Sequence, residues 1–104
     1  MNIYRHGDVL LKEIKSLPQN LTKLSHGILA EGETTGHKHQ LITKTKNAFQ
    51  LYRNEKGVMF LEVFTETPLV HEEHKTISIA PSIYEIGIER EYDPFEKLMN
   101  SVKD

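Results

Sequence analysis

The sequence predicts an all-β domain, a small antiparallel β-barrel or β-sandwich carrying a short C-terminal helix. Three observations carry that expectation. Apolar residues recur at every second position in several short segments, the period of a strand with one buried face. Glycine, proline and asparagine punctuate those segments at short intervals. Helical spacing shows only near the end, in Phe95, Leu98, Met99 and Val102. A length of 104 residues suits one modest core, so one domain is expected over residues 1–104.

Taken in order, residues 3–14 read as a first extended segment with a bulge or turn at Gly7-Asp8. Residues 16–25 carry Pro18 and Asn20 and read as a loop or irregular turn. A short strand is expected over 27–31, then a polar loop bounded by Gly32 and Gly36. From Gly36 to Thr43 the chain alternates, with His37, His39 and Leu41 on one face. Phe49, Leu51 and Arg53 alternate with Gln50 and Tyr52. Asn54 to Gly57 reads as a hairpin turn. Val58 to Phe64 is apolar on both faces except at Glu62, so it is either a central strand or part of a subunit interface. Pro68 is expected to break the next segment, and His71 to His74 to form a loop or strand end. Ile77 and Ile79 give a short strand, and Pro81-Ser82 a turn. The strongest alternation runs from Ile83 to Tyr92, with Tyr84, Ile86, Ile88, Arg90 and Tyr92 on the inward face. Asp93 as N-cap, Pro94 at the first helical position and Glu96 then open a helix over 94–102.

Composition narrows the functional classes. With 38% hydrophobic and 27% charged residues, the chain has enough apolar material to fold rather than stay disordered. A net charge of −2 gives no general attraction for a phosphate backbone. Lys38, Lys44 and Lys46 make a small basic edge without interleaved aromatics, so nucleic-acid binding is not expected. The absence of cysteine excludes disulfides, thiolate zinc sites and a cysteine nucleophile. The first residues lack a signal-peptide apolar run, and no segment has the apolar length of a membrane span. The expectation is a soluble cytoplasmic protein without a membrane partner.

Histidines carry the functional signal. Four of the six fall into two tight pairs. On a strand, His37 and His39 would project side by side, and two neutral imidazoles on one face are half of a metal site. His71 and His74 would supply the rest if the fold brings the pairs together. Three or four nitrogen ligands without thiolate suit a divalent ion: iron, manganese, nickel or zinc. Glu33, Glu72 and Glu73 are carboxylates that can ligate or support such an ion. The bland alternative makes each pair ordinary surface polarity, and His6 and His26 read as surface or hydrogen-bonded residues. Arg90, followed by Tyr92 on the inward face, needs a partner. It either forms an internal ion pair, for example with Glu62 or Asp8, or clamps an anionic ligand at a pocket wall. No phosphate-binding glycine loop or nucleophile elbow is present, and no catalytic residue can be named.

The stretch Gly32-Glu33-Thr34-Thr35-Gly36-His37-Lys38-His39 resembles the first motif of the cupins, a glycine followed by His-x-His on a strand. The later histidine pair falls where a second cupin motif would. The resemblance implies a metal held by His37, His39 and one of His71 or His74. The chain departs from the pattern in two places. Thr43, Lys44 and Thr45 stand where a glutamate is usual, and Pro81 follows His74 rather than preceding it. The pattern is also similar to small uncharacterised bacterial and phage proteins. The leading expectation is a metal-binding protein with a small-molecule ligand, extending to catalysis. The alternative is a non-enzymatic β-domain acting by self-association or partner-protein binding. A homodimer is expected in either case, with Val58 to Phe64 as the interface in the alternative.

Overall fold

The computed structural model describes residues 2–32 and 36–88. They form ten strands: β1 (Ile3–His6), β2 (Val9–Ile14), β3 (Thr22–Leu24), β4 (Ile28–Glu31), β5 (Lys38–Leu41), β6 (Phe49–Arg53), β7 (Met59–Val63), β8 (Thr67–Val70), β9 (Ile77–Ile79) and β10 (Ser82–Ile88). One antiparallel sheet runs β1-β2-β10-β7-β6-β3, and a second runs β4-β5-β8-β9. The all-β expectation holds as two antiparallel sheets, and among the described residues neither closes into a barrel. The helix expected over 94–102 lies outside the described residues. No helix among the described residues is long and apolar enough to cross a membrane.

Both sheets feed one core. Leu11, Leu61 and Tyr84 from the larger sheet share a buried cluster with Leu41, Leu69 and Ile79 from the smaller. The alternation of β10 sends Tyr84 and Ile86 inward and leaves Glu85 exposed. Ile88, on the same face, is 47% exposed because the strand has run past the core to the mouth of a cavity. Strand β7 lies between β10 and β6, the central position its apolar character predicts. It buries Phe60, Leu61 and Val63, while Val58 and Phe64 at its flanks stay exposed.

The turn expected at Gly7-Asp8 is present, and two other local outcomes differ from the expectation. Residues 3–14 form a hairpin of two strands, with His6 paired to Val9 across Gly7-Asp8. Gly7 has φ +63°, the value a two-residue turn of this hand needs at its first central position. Thr22–Leu24 is a strand inside the expected loop, too short to show a period. Pro68 sits within β8 rather than breaking it. Its carbonyl accepts from the Ile42 amide, and in a strand the N and C=O of one residue point the same way. The missing donor therefore falls past the end of β5, where it removes no ladder bond.

Candidate metal centre

Three segments converge on one cavity of about 400 Å³, lined by Asp8, His37, His39, His71 and Glu73 with an apolar wall that includes Leu29 and Ile88. The first segment is the β1–β2 turn, the second is His37 to His39, and the third is the loop between β8 and β9. On β5, alternation buries both His39 (5% exposed) and Leu41 (4%), so the strand carries one imidazole inward beside the core. The polar run His71 to His74 cannot be a core strand, and it forms the loop after β8. Its Glu72 carboxylate accepts from the Lys38 amide at 3.2 and 3.3 Å, which ties the loop to the start of β5. That hydrogen bond is the main cause lowering the pKa of Glu72.

The fold brings His39, His71 and His74 together. One donor nitrogen from each lies within 4.8 Å of the others. Ring centroids are 4.3 Å apart for His39 and His71, 4.5 Å for His71 and His74, and 5.5 Å for His39 and His74. His37 is not in that group. It precedes the first residue of β5, so the strand rule that placed it beside His39 does not govern its direction. Its Nδ1 lies 3.1 Å from Glu73 Oε1, and its ring 5.6 Å from that of His71, at the rim of the cavity. Nδ1 of His71 accepts from the Glu73 amide at 3.0 Å. To ligate an ion, His71 would have to exchange this bond or shift its proton. Glu33, Arg90 and Tyr92 lie outside the described residues.

Two participants carry no ligand-like spacing in the sequence. His6 ends β1 on the same face as Tyr4 and is 3% exposed. Its Nδ1 lies 2.9 Å from Nδ1 of His39, and its Nε2 lies 2.9 Å from the Lys75 carbonyl. Asp8 Oδ1 lies 3.3 Å from Nε2 of His39. The one signal that could have found them is the triplet His6-Gly7-Asp8, a turn glycine between two polar residues just after an inward tyrosine. His26 accepts from the Ile28 amide at 3.1 Å, in line with a hydrogen-bonded role.

Electrostatics suits a ligand set. Burial holds the His39 pKa down to about 4, with the neighbouring His71 and His6 rings pushing the same way against the pull of Asp8. Burial also lowers that of His6, against its hydrogen bond to the Lys75 carbonyl. Both rings are neutral near pH 7, the form that leaves a nitrogen lone pair for a metal. No curated protein and no solved structure matches this chain. Residues 5–89, which carry all six histidines, match a domain family of unknown function (DUF8820), and the chain belongs to that family.

Proposed function

We propose that this chain is a metal-binding protein that holds one divalent ion through His39, His71 and His74. The observation that carries the reading is the approach of three imidazole donors within 4.8 Å of one another, beside a cavity large enough for a small molecule. Three nitrogens leave coordination positions for water or a substrate, as a reactive metal needs. Iron, manganese, nickel and zinc all accept such a set. The His37–Glu73 pair at the rim can take a proton from a molecule bound there. Elemental analysis of untagged protein should find about one divalent ion per chain, with His39→Ala and His71→Ala each losing it. Protein without metal that also fails to bind zinc, manganese, nickel or iron by calorimetry would overturn the reading.

Self-association is a second reading, favoured by one observation. Strand β1 forms an edge of the larger sheet and leaves Ile3 65% exposed. An edge strand with an exposed apolar side chain is open to pairing with another copy. Light scattering at micromolar concentration tests it, and a monomer would refute it.

A further inference from the structure

We propose that Asp8 is a fourth ligand of this centre, and that His6 fixes which nitrogen of His39 faces the ion. The inference rests on the metal reading above. It adds a carboxylate ligand and a positioning residue from a part of the chain that the two histidine pairs do not include.

The argument follows the protons. A carbonyl oxygen only accepts, so Nε2 of His6, 2.9 Å from the Lys75 oxygen, carries a hydrogen. Neutral His6 then has a lone pair at Nδ1. That atom lies 2.9 Å from Nδ1 of His39, a hydrogen-bond distance that needs one proton between the rings, so the proton belongs to His39. With its hydrogen on Nδ1, neutral His39 presents a lone pair at Nε2. That lone pair faces Asp8 Oδ1 at 3.3 Å. A lone pair and a carboxylate repel each other unless a cation lies between them. Two ligands bound tetrahedrally at about 2.0–2.1 Å from one ion are separated by about 3.3–3.4 Å. The His39–Asp8 separation is that of two ligands on one metal.

The turn that carries Asp8 is shaped for this approach. A Cβ on Gly7 would lie 2.5 Å from Nε2 of His74 and 3.0 Å from Cε1 of His39, so only glycine lets the turn press against both rings. The Asp8 side chain is 48% exposed, and it can swing onto the ion by rotation about its own bonds. His6 has a second effect. By bonding both His39 and the Lys75 carbonyl, it links β5 to the loop that carries His71 and His74. The resulting set of three nitrogens and one carboxylate oxygen leaves a divalent ion with net charge +1 and favours manganese, iron or zinc over softer ions.

Cobalt(II) titration of the full chain, read by visible absorption, tests the ligand. The unmodified chain should bind one equivalent. Asp8→Asn should bind roughly 10–100-fold more weakly, with an altered absorption band and an unchanged circular dichroism spectrum. Equal affinity and an identical band in Asp8→Asn would overturn the role of Asp8 while leaving the three-histidine reading intact. Long-range proton–nitrogen NMR of the metal-free chain tests the tautomer without any variant. His39 should carry its hydrogen on Nδ1, and a hydrogen on Nε2 instead would overturn the role of His6. An unmodified chain that binds no cobalt overturns this inference together with the reading beneath it.

Discussion

Gly7 is the residue on which the most geometry depends. It takes a positive φ, and it leaves no room for a side chain against His74 and His39. Gly7→Ala should therefore lose about 1–3 kcal/mol of stability in denaturant melts and weaken metal binding in the same protein. Stability loss with unchanged affinity would separate the turn from the site. His39 supplies a pH signature. Its folded pKa of about 4 lies below the ordinary 6.5, so the unfolded chain takes up the proton first as pH falls. Stability is fully present above about pH 6.5 and is lost progressively down to about pH 4, by roughly 2–3 kcal/mol. Urea melts of the metal-free chain at pH 7 and pH 5 should show that decline, and His39→Gln should remove most of it. An unmodified chain equally stable at both pH values would refute the assignment.

At the scale of elements, the strands with a period were legible and the short or irregular ones were not. Strand β10 declares itself because Tyr84 and Ile86 alternate with Glu85, and β7 because Met59, Phe60, Leu61 and Val63 make it apolar on both faces, as suits a strand paired along both edges. The hairpin turn from Asn54 to Gly57 follows from residue chemistry alone. Asn54 Oδ1 accepts from the amides of Lys56 and Val58, and Gly57 takes φ +87°. His37 lines the same cavity as His39 but stands outside the three-histidine group, because a period of two applies only once the strand has begun, and β5 begins one residue later. The role of His6 is not legible in the sequence because nothing local distinguishes it. Its importance comes from contacts with His39 and Lys75, at sequence separations of 33 and 69. The loop after β8 offers a test at this scale. Glu72→Ala removes the acceptor for the Lys38 amide, so zinc affinity by calorimetry should fall roughly 10-fold while this exposed change leaves stability within about 0.5 kcal/mol. Unchanged affinity would show that the loop holds its histidines without that tether.

For the whole molecule, the site joins the two sheets. His6, Gly7 and Asp8 belong to the edge hairpin of the larger sheet, whereas His39, His71 and His74 belong to β5 of the smaller sheet and its β8–β9 loop. The shared core already couples the sheets through burial, with Leu11 and Leu61 on one side and Leu41 and Leu69 on the other. An ion held by residues of both sheets, as proposed, would add a second link at the cavity. If metal binds the folded chain and not the dispersed ligands of the unfolded one, as proposed, free metal at about 100 times the dissociation constant should add about 2.7 kcal/mol. That corresponds to a rise in melting temperature of roughly 10–20 °C for a domain of this size. His39→Ala should show no such rise. Hydrogen exchange can then tell a local effect from a global one. If the ion links the sheets, zinc should slow exchange at core amides of β2 and β10 as well as those of β5 and β8, since all of them open only when the two sheets part. Slowing confined to β5 and the loop after β8 would mean that the ion stabilises the smaller sheet alone, and Asp8 would then be no ligand.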